Sequence, residues 1–343
     1  MKALMKTQKG IGNIELRDVP EPTTGPDQVK IEVMAAGICG TDIHIFYDEF
    51  RNNPPCILGH EFSGRVVEIG NNVHTIKLGD RVTSETAGNI CGECRFCRSG
   101  EYHLCASRLG IGSGMDGAFA RYCVVRKELV HKLSDRISFE EGALSIPLAE
   151  ATHGAAIRTG ISAGDLVLVF GPGPIGLLAL QIARLDGGTV IIVGTEKDSR
   201  RLQVASELGA VRTVTIERED LSKIVLDASE GYGADVVLEC SGSQEAARMG
   251  MELVIKGGKF TQMGLHGKPI IIDMDKVALK QIRVNGFFST RWPYVELALG
   301  LLSSGQVQAR PLITHTLPLE RWREGFDLVE KKEGIKVLLI PES

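Results

Sequence analysis

The chain has no excess of charge of either sign. Lys and Arg number 39 against 43 Asp and Glu, a formal net charge of -4 over 343 residues. A balanced, slightly acidic surface offers no field for a polyanion, so nucleic acid and anionic membrane are excluded as main partners. Long hydrophobic runs are missing as well: no apolar stretch approaches the length that crosses a bilayer. The opening Met1-Lys2-Ala3-Leu4-Met5-Lys6 alternates charged with apolar residues and contains no hydrophobic signal segment, so the expected compartment is the cytoplasm. Internal repeats and low-complexity tracts are also absent.

Apolar residues make up 43% of the chain, too many for a disordered protein, and 343 residues exceed one ordinary core, so two domains are expected. The first part reads as β-rich, with Val29–Ala35 and Phe62–Ile69 as strands between Gly and Pro punctuation. Near Glu150 the texture changes. Leu166–Phe170, Val190–Val193, Val211–Ile216, Val236–Glu239, Lys259–Met263 and Ile282–Phe287 read as strands. Helices are expected over Ile175–Leu185 and Ser199–Leu208. This alternation is the pattern of a doubly wound parallel sheet. It stops after about Phe288. Helices near Pro293–Ser303 and Leu319–Val329 and a closing strand Lys336–Ile340 follow.

Gly171-Pro-Gly173-Pro174-Ile175-Gly176 is a G-x-G-x-x-G that leaves a strand and opens a helix. In that context Gly171 makes the tight turn, Gly173 lets backbone approach a pyrophosphate, and Gly176 lets helix pack on strand. Pro174 and Ile175 start the helix, whose N-terminus favours phosphate. Glu196, 20 residues beyond Gly176, is placed to grip the adenosine ribose. A carboxylate there favours NAD over NADP. Lys197, Arg200 and Arg201 stand close by and are read as a solvated first helical turn, with Arg201 retained as a cofactor-side candidate beside Ser241 and Phe287.

Eight cysteines in a reducing compartment are not read as disulfides. Cys91-x2-Cys94-x2-Cys97-x7-Cys105 has metal-ligand spacing, and four thiolates make a closed, structural zinc site. An iron–sulfur cluster is the chemical rival, and free thiols the bland alternative. Cys56, Cys123 and Cys240 are read as small core residues. Cys39, His60 and Glu61 offer three ligands of graded softness, the donor set of an open, catalytic zinc, with Asp42 placed to take the second nitrogen of His60; the bland alternative is a hydrogen-bonded histidine and a core thiol.

Together these motifs resemble the zinc-dependent medium-chain dehydrogenase/reductase family of alcohol, polyol and threonine dehydrogenases. The resemblance rests on Gly37-Ile-Cys39-Gly-Thr41-Asp42-Ile-His44, Gly59-His60-Glu61, Gly79-Asp80-Arg81-Val82, the four-cysteine lobe and the Gly171–Gly176 turn. It implies a GroES-like β-rich catalytic domain (1–149 and 289–343, with a zinc lobe over 88–106) interrupted by a Rossmann domain (150–288). It implies two zinc ions per subunit, NAD as cofactor, and hydride transfer from a secondary alcohol such as a polyol. Thr41 would orient the alcohol, His44 would carry its proton outward, and Lys336 would sit near Glu61 and the cofactor phosphates. Relatives form homodimers or homotetramers, and Val284–Phe288 is a candidate edge strand for that contact. Phe46, Tyr47, Arg108, Phe287 and Phe288 are candidate pocket walls.

The chain departs from the family at Ser145-Ile146-Pro147-Leu148-Ala149-Glu150. Polyol and threonine dehydrogenases carry a Glu where Ile146 stands. Glu150, one helical turn later, either reaches the metal or faces substrate; the latter is favoured, because a second carboxylate would weaken the Lewis acidity of the ion. The alternatives in function are an L-threonine 3-dehydrogenase, suggested by Cys39–Phe50 and Leu312–His315, and a non-catalytic nicotinamide-binding sensor.

Overall fold

The computed structural model describes residues Met1–Glu342. The chain divides into two compact units. The first comprises Met1–Ile146, Phe288–Gly305 and Ile313–Ser343; the second comprises Pro147–Phe287 and Gln306–Leu312. The short excursion 306–312 has no signature in the sequence.

The first unit is built on a seven-stranded sheet. Its main path runs Ile313–Pro318, Lys336–Ile340, Gln28–Gly37, Glu61–Ile69, Arg81–Ser84, Val130–Lys132, with Tyr122–Arg126 also paired to Gln28–Gly37. Gln28-Val-Lys-Ile-Glu-Val alternates strictly, burying Val29, Ile31 and Val33 on the core face. A smaller sheet joins Ile14–Asp18, Lys2–Lys6 and Cys56–Ile57. Phe62, Phe119, Leu58 and Phe326 fill the core between these elements. The expected helix over Leu319–Val329 is split: a 3₁₀ turn, Leu319–Arg321, precedes the helix Trp322–Glu330. Pro318 fixes the entry to that turn, with φ at -57°.

The second unit is a six-stranded parallel sheet. Its order is Arg212–Thr215, Thr189–Gly194, Leu166–Phe170, Ala234–Glu239, Val254–Gln262, Arg283–Gly286. This is the Rossmann order, and its switch point lies beside Leu166–Phe170. Every residue of that strand is buried, as befits a central parallel strand covered on both faces. Pro174 at the first helical position suits the helix Pro174–Leu185, because the missing N–H would have no partner there. The helices Leu221–Ala228 and Gln244–Leu253 were among those the sequence pattern did not mark. Both carry side-chain N-caps: Asp220 accepts the Lys223 N–H, and Ser243 the Ala246 N–H. Among the described residues no helix is long and apolar enough to cross a membrane.

Candidate active site

Two chain segments of the first unit converge. Cys39 leads into the helix Gly40–Phe46, and His60 and Glu61 open the strand Glu61–Ile69. The ligand atoms of Cys39, His60 and Glu61 lie within 4.8 Å of one another. Gly59 sets up this arrangement: its φ is +88°, and a Cβ there would come 2.5 Å from the Phe119 ring. Gly37 leaves room for the acid, since a Cβ on it would lie 2.7 Å from Glu61 Oε2.

The surroundings fit a bound cation. Asp42 is fully buried; its Oδ2 accepts the Cys39 N–H at 2.9 Å, while its Oδ1 has no hydrogen-bond partner and faces His60 Nδ1 at 3.7 Å. An orphaned buried oxygen turned to one ring nitrogen is what a metal-ligating histidine requires of its neighbour. Burial pushes the Asp42 carboxyl up, against the pull of His60. Lys336 is buried rather than solvated. Its Nζ lies 2.5 Å from Glu61 Oε2 and 3.1 Å from the Ile38 carbonyl. Burial alone would lower its ammonium, but Glu61 and Cys39 outweigh that and hold it above the ordinary lysine value. It therefore supplies the positive charge that keeps two buried carboxylates and a thiol together.

Thr41 and His44 are three residues apart on the same helix face, both half-buried. His44 Nδ1 is 2.7 Å from Glu49 Oε2. A carboxylate only accepts, so Nδ1 carries the hydrogen and Nε2 is left as the acceptor. Glu49 escaped the sequence reading; an acid five residues after a histidine has no distinctive spacing. Phe46 and Tyr47 both contact the helix Trp322–Glu330. Phe46 stacks edge-on against Phe326 at 6.5 Å, and the Tyr47 hydroxyl bonds Glu330, so both serve the packing of the helix Trp322–Glu330. Arg108 and Arg51 instead flank Phe288, at 5.3 Å and 5.6 Å from its ring centre.

The four-cysteine lobe has its sulfurs already grouped. Cys94–Cys97, Cys91–Cys105 and Cys91–Cys97 are 3.5, 3.6 and 3.9 Å apart. Tetrahedral zinc with ordinary Zn–S bonds requires about 3.8 Å. The Cys94 N–H donates to Cys91 Sγ at 3.3 Å, and that bond heads the causes pulling the Cys91 thiol down to about 6. Cys56 and Cys123 are buried core thiols, raised to about 11 and about 12 by burial.

In the second unit Gly171 turns at φ +92°, with Ser241 packed 2.8 Å from where its Cβ would be. Gly176 abuts the Gly171 carbonyl, whereas nothing lies within 4 Å of a Cβ on Gly173, which leaves that backbone open to a pyrophosphate. Pro174 and Ile175 begin the helix as expected. Ser241 is held by Glu239, a fully buried carboxylate the sequence reading passed over. Glu239 takes the N–H of Ser241 at 2.8 Å, its hydroxyl, the Gly242 N–H at 3.0 Å and Gln262 Nε2 at 2.6 Å. Its signal was an acid closing the otherwise apolar Val236-Val-Leu238. Phe287 stacks edge-on against His153 at 5.5 Å. Glu150 is half-buried on the helix Ser145–Thr152, and Ile146 is fully buried. Arg201 corrects the reading of the basic cluster: it is buried, with Nη1 on Asp198 Oδ1 at 3.2 Å. Glu196 is exposed, and its Oε1 accepts Arg218 Nε at 2.9 Å.

A β-rich unit with a Cys–His–Glu triple and a Rossmann unit with an open glycine turn define a nicotinamide-dependent alcohol dehydrogenase as the class. Family models agree: "Alcohol dehydrogenase GroES-like domain" matches 25–135 and "Zinc-binding dehydrogenase" matches 174–304. The chain is 45% identical over 342 residues to a sorbitol dehydrogenase of Halalkalibacterium halodurans, covering 99% of each. It is 40% identical to an L-threonine 3-dehydrogenase of Caldanaerobacter subterraneus, covering 93% of each. Among solved structures, a zinc-binding dehydrogenase of Sinorhizobium meliloti bound to NADP superposes with a TM-score of 0.91, at 33% identity and 99% coverage of both chains. The chain belongs to the zinc-dependent medium-chain dehydrogenase/reductase family and is an NAD(P)-dependent oxidoreductase of CH–OH groups.

Proposed function

We propose that the chain oxidises a secondary alcohol of the polyol class, with NAD as preferred acceptor and two zinc ions per subunit. The observation that carries this reading is the convergence of Cys39, His60 and Glu61 within 4.8 Å. When bound, the metal there supplies a Lewis acid that acidifies an alcohol, and the nicotinamide supplies a hydride acceptor. Thr41 orients the substrate hydroxyl. His44, its Nδ1 held by Glu49, takes the departing proton on Nε2 and passes it to solvent. Lys336 acts through Glu61, whose carboxylate it holds in position. Glu150 faces the substrate rather than serving as a fourth ligand. Cys91, Cys94, Cys97 and Cys105 hold a second, structural ion. On the cofactor side Gly171, Gly173 and Gly176 admit the pyrophosphate, Ser241 borders the turn, Glu196 takes the ribose, and Phe287 lies toward the nicotinamide.

Polyol is favoured over threonine by the higher identity to the sorbitol dehydrogenase, 45% against 40% to the threonine dehydrogenase. A cytoplasmic location is part of the proposal, supported by eight free thiols that a reducing compartment preserves. So is a homodimer or homotetramer, joined through Arg283–Gly286. That strand closes one edge of the parallel sheet, with Val284, Leu279 and Ile271 exposed beside it.

The test is growth of the reduced-nicotinamide absorbance with NAD and a panel of polyols, L-threonine and simple secondary alcohols. Polyols are expected to give the highest kcat/KM. Cys39→Ser is expected to abolish turnover while NAD binding survives. No signal with any alcohol despite bound zinc would instead support a non-catalytic sensor.

A further inference from the structure

Two guanidinium groups meet over one ring in the first unit. Arg108 and Arg51 lie 5.3 and 5.6 Å from the centre of the Phe288 ring. Arg108 is a pocket candidate from the sequence, whereas Arg51 has no mark there. Phe288 begins the return of the chain to the first unit and is half-buried. Two like charges about one ring repel each other, and an anion shared between them removes that cost. Arg108 is fixed from behind. Its Nη2 donates to Thr86 Oγ1 at 2.9 Å and to Ser289 Oγ at 3.3 Å, on two buried residues. Ser289 holds a left-handed backbone at φ +58°, uncommon for a residue with a side chain. Arg51 is exposed, but its neighbour Asn52 is buried, with Nδ2 on Asp48 Oδ1 and on the Phe50 carbonyl, each at 2.9 Å. The acids of that segment are engaged elsewhere, Asp48 by Asn52 and the Gly10 N–H, and Glu49 by His44.

Both arginines ride on segments tied to the reacting residues. The Glu49 and Phe50 N–H groups bond the His44 carbonyl at 2.8 and 3.3 Å, so Arg51 follows directly on the turn that holds His44. Residues 110–117, just beyond Arg108, lie against Gly59, the residue before His60. A Cβ on Gly112 would come 2.6 Å from the Gly59 carbonyl oxygen, which accepts the Ala118 N–H at 2.9 Å. The Asn53 N–H donates to the Ser113 carbonyl at 2.7 Å and joins the two segments. The guanidinium pair therefore sits on the same framework as His44 and His60.

We propose that Arg51 and Arg108 form an anion subsite of the substrate pocket, and that the preferred polyol carries a terminal phosphate monoester. This rests on the polyol reading of the Cys39, His60 and Glu61 site. A phosphate monoester carries about two charges at neutral pH and three acceptor oxygens, which suits two guanidinium forks. A carboxylate would neutralise only one of them. The ester end seats on the arginines, and the carbinol end faces Thr41 and the triple.

The test compares sorbitol and D-mannitol, each free and as its terminal phosphate, with D-gluconate as the carboxylate arm. The zinc-loaded full chain is followed by reduced-nicotinamide absorbance, and sorbitol 6-phosphate is titrated calorimetrically into the chain saturated with NADH. The phosphates are expected to exceed the free polyols about tenfold in kcat/KM, chiefly through KM. Arg51→Ala, at an exposed position, is expected to lower that ratio about tenfold and to weaken the titrated binding by as much, with Arg51→Lys recovering part of both. Arg108→Lys, which keeps the charge and loses the fork, is expected to lower the ratio as well. Equal kcat/KM for free and phosphorylated polyols, or an unchanged ratio in Arg51→Ala, would overturn the subsite and leave the polyol reading standing. Preference for D-gluconate would overturn the phosphate assignment. Turnover of none of the five would overturn the polyol reading, and the subsite with it.

Discussion

Lys336 shows how one side chain sets the terms for a site. Glu61 and Asp42 are buried carboxylates within the same small volume as the Cys39 thiol, and Lys336 is the cation that faces them. In metal-free protein a Lys336→Met variant leaves that negative charge uncompensated. The expected cost is about 3–5 kcal/mol in denaturant unfolding. With zinc loaded, the dication supplies the missing charge, so the difference from the unaltered chain should shrink. An equal loss in both states would show that Lys336 matters for packing alone. Cys39, His60 and Glu61 could be picked from the sequence because their types and flanking glycines are distinctive. Glu49 and Glu239 could not, and Lys336 came only through the family resemblance. Lys336 and Glu239 gain their roles from a partner far along the chain or across a strand pair, and Glu49 from a histidine at an undistinctive spacing, so an isolated charged residue carries no trace of its partner.

At the scale of elements, the cysteine lobe is the segment that depends most on a ligand. Its short helix Arg95–Arg98 has no buried residue, so apolar burial does not fold it. Its base is tied down by polar contacts instead. The Tyr102 hydroxyl donates to Glu85 at 2.7 Å and accepts the Trp292 N–H at 2.7 Å, while His131 bridges Glu85 at 3.2 Å and Glu296 at 2.5 Å. Removing one ligand by Cys94→Ser should free the tip but not the base. Trypsin is then expected to cut at Arg95 and Arg98, with zinc content falling to that of the other site, while the rest of the chain resists. Resistance of the variant lobe would show that its fold is independent of metal. The elements themselves were readable to different degrees. Leu166–Phe170 and Pro174–Leu185 stood out through burial on both faces and a proline at the helix start. The strand Ile313–Pro318 did not. Its inner positions are only half-buried, so the apolar alternation that marks a strand is weak.

At the scale of the whole molecule, the proposed dimer edge can be examined separately from the chemistry. Val284 is 46% exposed on the last strand of the parallel sheet. A lysine there would put charge into an apolar strand pair, so Val284→Lys is expected to yield monomers by light scattering with cofactor binding retained. An unchanged mass would place the subunit contact elsewhere. The two-unit plan was legible as a change of texture near Glu150 and again near Phe288. The return of 306–312 to the second unit was not, because its one element, the 3₁₀ turn Arg310–Leu312, is too short for a pattern to reveal.

That return has a consequence for anyone wishing to transplant the dinucleotide-binding half. Gln181, on the helix after the glycine turn, donates through Nε2 to the Gln308 carbonyl at 3.1 Å, and its Oε1 takes the Gln308 N–H at 2.8 Å. An excised fragment ending at Phe287 would take both Gln308 partners from that amide and leave it only the Leu177 carbonyl of its own helix, at 3.4 Å. A graft of this half therefore needs two splices, not one, or a circularly permuted gene that brings the heptapeptide 306–312 along with it.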